Sequence, residues 1–430
     1  MIRPNNDAPL SLHARWAWWL GFLVIASQRL GLQFEHGSLP VVHIILILIV
    51  LGSIGYSGWR ISKKGIGFYL VLLALAVVSF ITSPAWIGVP PSISSFILMC
   101  ITLLPLLTHG NRSGYGNLIF AGALSAIKIG AVLSILQYSL QVLGFGFFDP
   151  IASLPSQLIL PDFNSHYAVQ SFGGFSIWFK PNGIIYLEPS FLSLYSSIGI
   201  VILLTIHYNW ESKLTKKLFL WICIFGTAMV TSMSLSGLPI LAAACVPLAA
   251  KYSRKRPALF LGLGAIGFIL TKIGAFNFIL YRLTEGFTGN TSTAARLYYP
   301  YQTLLPIWIQ QPFFGWGSGR ASIFTSYYAP TISGLQSSTI MKALVEYGAI
   351  WSAVLAIAIA SSIYYRNRSK TYSILVSTLL CAWLVPAEAL LNATLVVLLI
   401  TGLGTISLPI NDSKNFLISE NSLANVEVEF

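Results

Sequence analysis

Apolar runs long enough to cross a bilayer recur along the whole chain, separated by short polar connections. A helix needs roughly 20 apolar residues to span the hydrocarbon, and about twelve runs meet that rule: 16–33, 39–59, 66–84, 91–108, 117–145, 189–208, 215–234, 236–250, 257–281, 336–365, 372–390 and 392–410. The expected fold class is an all-α integral membrane protein. It would form one polytopic domain over residues 1–410, followed by a polar tail, 411–430, expected to be disordered. Composition excludes a water-soluble core: 55% of the residues are apolar, 9% are charged and the mean hydropathy is +0.75.

The net charge of +12 would fit a nucleic-acid partner only if the cations formed a basic face on a folded module. They instead fall in short clusters between apolar runs, so no nucleic-acid partner is expected. The clusters are Arg60, Lys63 and Lys64; Arg112; Lys213, Lys216 and Lys217; Lys251, Arg254, Lys255 and Arg256; and Arg366, Arg368 and Lys370. Every second connection is basic, whereas the intervening GLQFEHGS and PAWIGVPP carry no Lys or Arg. Basic loops stay on the cytoplasmic side, so both termini are expected in the cytoplasm. Arg3 and Arg15 before WAWWLGFLVIA resemble a signal peptide, but no clean cleavage site follows, and this segment reads as a retained first helix. Cys100, Cys223, Cys245 and Cys381 lie inside apolar runs without metal-ligand spacing, which supports neither a disulfide framework nor a zinc site.

The alternation leaves two long outer loops, at about 146–181 and 282–335, and loops longer than about 15 residues usually carry function. The second contains Arg282, Arg296 and Arg320, cations on the side where cations are otherwise avoided. A planar guanidinium suits bidentate recognition of phosphate. The plainer reading is that these arginines snorkel to lipid phosphates or pair with local acids such as Glu285. Near them Leu297, Tyr301, Leu304, Leu305 and Trp308 recur at helical spacing, which predicts a helix at the outer interface, kinked or split by Pro300 and Pro306. In FFGWGSGR, Gly315, Gly317 and Gly319 would let backbone amides approach a diphosphate, or would simply make a turn.

The stretch NGIIYLEPS, from Asn182 to Ser190, stands at the mouth of the sixth apolar run. Pro189 suits the first helical position, which puts Glu188 at the cap against the positive end of the helix dipole. With Lys180 and Asn182 before it, the same strip would bind a sugar and accept its proton. Deeper in the membrane are Lys128, Lys272, Lys342, Glu346 and Glu388, and an ionisable residue in a span is by default a functional candidate. Lys342 and Glu346 are four apart on one helix face, so a self-satisfied ion pair is an equal expectation.

Four segments together resemble the O-antigen polymerase and ligase superfamily, which acts on undecaprenyl-diphosphate-linked sugars. They are KPNGIIYLEPSFLS, TSMSLSGLPIL, the block from TSTAARLYYP to PFFGWGSGR, and STIMKALVEYGAIW, spread from about residue 180 to 351 in the family's order. Members often carry arginine where Lys180 stands. Ligases carry a histidine followed by asparagine, with a glycine pair further on, where this chain has Ser337, Ser338, Gly348 and Trp351. The resemblance therefore implies a polysaccharide repeat-unit polymerase more than a ligase, placed in the bacterial inner membrane.

It further implies metal-independent transfer of the GT-C type, without cofactor, in agreement with the lack of an Asp-X-Asp pair in the sequence. Glu188 and Arg296 match the family's Glu-Pro-Ser segment and outer-loop arginine. They are the expected base and diphosphate ligand. Lys180, Asn182, Arg282, Arg320, Gly315, Gly317 and Gly319 are expected to bind substrate, with Lys342 and Glu346 as further candidates. The expected partners are a lipid-linked oligosaccharide and a chain-length regulator. A flippase or other secondary transporter is the alternative from another class, but it would place its binding groups near the midplane, often in repeated halves.

Overall fold

The structure is a computed structural model that describes residues 12–34, 37–56, 60–61, 63–84, 89–109, 115–160, 168–169, 178–209, 216–232, 299–328 and 338–366, with single positions between 234 and 244. These residues are mainly helical. The helices are α1 (Leu12–Ala26), α2 (Val41–Tyr56), α3 (Lys63–Thr82), α4 (Ile93–Leu103), α5 (Tyr115–Val142), α6 (Pro189–Asn209), α7 (Lys216–Thr231), α8 (Tyr299–Gln310), α9 (Arg320–Tyr328) and α10 (Thr339–Arg366). Among the described residues three helical stretches are long and apolar enough to cross a membrane: Lys63–Thr82, Leu118–Val142 and Thr339–Ser361. Shorter apolar helices run over Arg15–Ala26, Val41–Gly52, Ile93–Leu103 and Pro189–Leu204. The expected spans 257–281, 372–390 and 392–410, and about half of 236–250, lie outside the described residues, as does the tail.

Two boundaries differ from expectation. The first run was expected to be helical to residue 33, but α1 ends at Ala26, and Gly31–Phe34 pairs antiparallel with Gly37–Pro40. The polar Ser-Gln-Arg that follows Ala26 forms buried turns instead of continuing the helix. The fourth run tightens to a 3-10 turn at Leu104–Leu107, because Pro105 cannot donate into an α-helical ladder. The interfacial helix expected near residue 300 is α8, with Pro300 in its first turn and Pro306 inside it.

Connections pair according to their charge. The basic connections meet each other, with Arg60–Ile61 antiparallel to Thr108–His109. The cation-free hairpin 31–40 meets the first long loop, where Gln33 Nε2 donates to the Ser156 and Ile159 carbonyls at 2.8 and 2.6 Å. The cation-free loop after α3 meets the second, through Ser92 N to Ser318 O at 2.8 Å. Among the described residues these three contacts each join connections of like charge class.

The main core joins the helices α1 to α7 with α10. Large apolar side chains also face outward, among them Leu70, Val71 and Ile81 on α3 and Ile129, Val132 and Leu136 on α5, an exterior suited to lipid. The closest crossing is α1 on α5. A Cβ at Gly21 would lie 1.8 Å from the Ile119 carbonyl oxygen, and one at Gly122 would lie 1.9 Å from that of Trp18, so small residues bring the two backbones together. Gly122→Leu is expected to lower stability by about 1–3 kcal/mol through overpacking. Gly67→Leu, whose Cβ would meet nothing within 4 Å among the described residues, is the control. Thermal unfolding in detergent compares them, and equal midpoints would mean that the crossing yields.

Candidate functional site

The segment 182–188 links the first long loop to α6 and is held by side chains from other elements. On α5, Gln137 Oε1 accepts from the amides of Asn182 and Gly183 at 3.2 and 2.8 Å, and its Nε2 donates to Asn182 Oδ1 at 3.2 Å and to Phe148 O at 2.9 Å. Asn182 Oδ1 also accepts from the Ile184 amide at 3.0 Å, closing the turn on itself. Asn182, expected to contact a sugar, is buried and uses this oxygen inside the turn. Gly183 has φ 64°, and a Cβ there would lie 2.5 Å from the Gly130 carbonyl oxygen. Ile184 has φ 66°, a left-handed conformation that costs a β-branched residue about 1–3 kcal/mol. Its carbonyl accepts from Arg29 Nη1 at 2.8 Å, and the same nitrogen donates to Asp149 Oδ1 at 2.7 Å. Burial holds the Tyr186 hydroxyl well above the ordinary tyrosine range, so it stays protonated, with its ring stacked on Tyr195.

Glu188 follows directly. Its carbonyl accepts from Phe191 N and Leu192 N at 3.0 and 3.3 Å, so it stands at the cap of α6 with Pro189 in the first helical position. Its side chain is buried, and Oε2 accepts from Ser190 Oγ at 2.9 Å. The segment after α7 lies against this start of α6. Ser236 Oγ donates to Ser190 O at 2.6 Å, Ser193 Oγ to Ser234 O at 2.9 Å, and Gly237 N to Ser193 Oγ at 3.1 Å. A Cβ at Gly237 would lie 2.1 Å from Ser197 Oγ, which reserves the position for glycine. Lys180 is half-buried just ahead of the turn.

A second group forms around a break in α10. Gly348 has φ 82° and ψ 177°, which interrupts the helix and frees backbone groups on both sides. The glycine-rich block uses them: Trp316 N donates to Val345 O at 2.7 Å, Gly317 N to Glu346 O at 2.9 Å, and Ala349 N to Pro312 O at 2.8 Å. Gly315 N donates to Gln311 O at 3.1 Å. The open cradle of amides expected from Gly315 and Gly317 is therefore not formed, because both N–H groups are bonded within the chain. These glycines answer a steric demand. A Cβ at Gly315 would lie 2.7 Å from the Gly348 nitrogen, and one at Gly319 would lie 2.5 Å from Ser92 Cβ.

Arg320 opens α9 and is fully buried. Its Nη2 donates to the Val89 carbonyl, while Nε and Nη1 have no hydrogen-bond partner among the described residues. A guanidinium in that state offers donors to an oxygen-rich group. Glu346 Oε1 accepts from Ala321 N at 3.4 Å, at the positive end of the α9 dipole, and Lys342 is buried one turn away on α10. Ser338 caps α10 by accepting from Met341 N at 3.3 Å. Trp351 ties α10 to α3 by donating to Leu72 O at 3.0 Å.

Asn182 and Glu188 thus stand at the two ends of the turn before α6, with Lys180 just ahead of it in sequence, and the glycine-rich block with the start of α9 meets α10 at Glu346. Arg282 and Arg296 lie outside the described residues, as do Lys272 and Glu388. Lys128 has its ammonium 5.1 Å from the centre of the Trp221 ring, a cation–π contact that accounts for a cation on α5. Sequence reasoning missed Arg29, Asp149 and Gln137. Arg29 was detectable, since it falls inside the apolar run 16–33, where any ionisable residue marks a candidate. No protein-family model matches the chain, and no curated protein matches it significantly.

Proposed function

We propose that this chain is a polymerase of lipid-linked oligosaccharide repeat units, acting by metal-independent glycosyl transfer on the outer face of the bacterial cytoplasmic membrane. One observation carries the reading: the segments of the family resemblance, far apart in sequence, pack two by two. The start of α6 at Ser190 and Ser193 bonds to Ser236 and Ser234, and 312–317 lies against 345–350. In this reading the acceptor sugar hydroxyl attacks the anomeric carbon and the bond from that carbon to the lipid diphosphate breaks. Glu188 takes the hydroxyl proton. Arg320, with Arg296 and Arg282, receives the charge that grows on the departing diphosphate, each such donor being worth roughly 3–4 kcal/mol. Lys180 adds a cation near the acceptor.

The purified protein in liposomes, given undecaprenyl-diphosphate-linked repeat units, is expected to yield a polymer ladder in the presence of a chelator and without nucleotide. Activity that vanishes with the chelator and returns with magnesium would overturn the metal-independent mechanism. A single addition to another acceptor, without a ladder, would mean ligase-type transfer. A second reading, a flippase or secondary transporter, is favoured by the break at Gly348 with Lys342 and Glu346 buried on its first half, since transporters bind substrate at broken helices. Translocation of the lipid-linked unit across the same liposomes with no change in chain length would establish it.

A further inference from the structure

We infer that Arg29, in the turn that follows the first helix, is a positioning residue for Glu188 and acts through the left-handed turn at Ile184. The inference rests on the reading of Glu188 as a site residue.

Arg29 is fully buried and its charge is met by Asp149, with Oδ1 2.7 Å from Nη1. Burying an ion pair brings little stability by itself, because desolvation offsets most of the attraction, and an apolar pair of equal volume often does as well. Such a pair would leave the Ile184 carbonyl without the donor that Arg29 Nη1 supplies at 2.8 Å. The contribution specific to this arrangement is therefore geometric. Arg29 is itself anchored on the main chain, where Leu160 N donates to its carbonyl at 2.9 Å and Leu30 bridges to Ile159.

The anchored guanidinium grips a residue in a conformation that its own side chain disfavours, φ 66° at an isoleucine. Gln137 holds the two preceding amides, those of Asn182 and Gly183, so the turn is fixed from α5 as well as from α1. Strain persists only where the surroundings over-determine it. Four residues further on, Glu188 opens α6 with its carboxylate buried beside Ser190. Releasing the Ile184 carbonyl lets the turn relax toward negative φ and rotates the chain that leads into Glu188.

The strain supplies its own test. Glycine adopts positive φ without a steric cost, so Ile184→Gly should make the turn less dependent on Arg29. Four full-length proteins are compared in nanodiscs: wild type, Arg29→Met, Ile184→Gly and the double variant, the Arg29→Met proteins also carrying Asp149→Asn so that no buried carboxylate is left without its cation. Amide hydrogen exchange is followed in the peptide covering residues 182–188, and polymer kcat and KM are measured in parallel.

Arg29→Met is expected to speed exchange in that peptide by at least tenfold and to lower kcat by a similar factor with KM within twofold. The double variant is expected to recover most of both losses. Unchanged exchange in Arg29→Met, or a double variant no better than Arg29→Met, would overturn the inference, since a general stabilising role gives no reason for rescue at Ile184. Should Arg29→Met not fold, Arg29→Lys serves. Both bonds come from the single nitrogen Nη1, and the shorter lysine stem ends before that position, so exchange at least threefold faster is expected, and wild-type exchange would refute the inference. The exchange readout needs no substrate. If it behaves as expected while wild type makes no polymer, the proposed function falls and the positioning of Glu188 stands.

Discussion

Glu188→Gln is expected to lower polymer formation by roughly 100-fold or more while lipid-linked substrate still binds, because the amide keeps the size of the side chain and loses its basicity. The geometry sharpens the comparison. Glu188 caps α6 with its main-chain carbonyl, a role that any residue retains, while its buried carboxylate lies 2.9 Å from Ser190 Oγ. If capping were its whole contribution, Glu188→Asp and Glu188→Asn would both be tolerated, with a loss of about 1 kcal/mol or less. If the carboxylate accepts the acceptor's proton, Glu188→Asp suffers as well, since a shorter side chain withdraws the oxygen from hydrogen-bond reach. Polymer yield from the Gln, Asp and Asn variants at matched membrane levels decides between them. Near wild-type polymer from the Gln variant would leave Glu188 a capping or binding residue.

Gly348→Val should disconnect the glycine-rich block from α10. A Cβ at Gly348 would lie 2.1 Å from the Phe313 carbonyl oxygen, on a backbone with φ 82° and ψ 177° that is essentially reserved for glycine. The helix could then relieve the clash only by closing the break, which removes the bonds from Trp316 N, Gly317 N and Ala349 N. Strain together with lost hydrogen bonds near 1 kcal/mol each gives an expected destabilisation of roughly 3–5 kcal/mol. Insertion into the membrane should persist, because the apolar length of the span is unchanged. Limited proteolysis should then cut within residues 310–320 in the variant and not in wild type. Gly226→Val on α7, where a Cβ meets nothing within 4 Å among the described residues, is the control. Equal protection in both variants would mean that the block is held by other contacts.

Glu188 and Gly348 are legible in the sequence to different depths. Glu188 could be placed at a helix start because Pro189 and the apolar run behind it are local signals. The role of Gly348 could not, because nothing in VEYGAIW separates a glycine tolerated within a helix from one that breaks it. The difference lies in Pro312 and Phe313, more than thirty residues away, whose carbonyls accept from the amides beyond the break. The same holds for the glycine-rich block. Its spacing was compatible with a diphosphate cradle, but the Gly315 amide is bonded to Gln311 O and the Gly317 amide to Glu346 O of α10. Arg29 escaped notice although it lies in an apolar run, because its partners come from residues 149 and 184.

By itself the sequence determined that the chain is mainly helical and suited to a membrane, and where most of the described helices start and stop, but neither the early end of α1 at Ala26 nor the short helix α9. These properties depend on run length and on proline, which act over a turn or two of helix or one span. Tertiary structure alone decided which turns are strained, which glycines are obligatory and which buried charges meet. Those outcomes depend on atoms brought within about 3 Å from distant parts of the chain, where a hydrogen bond or a clash has its whole effect.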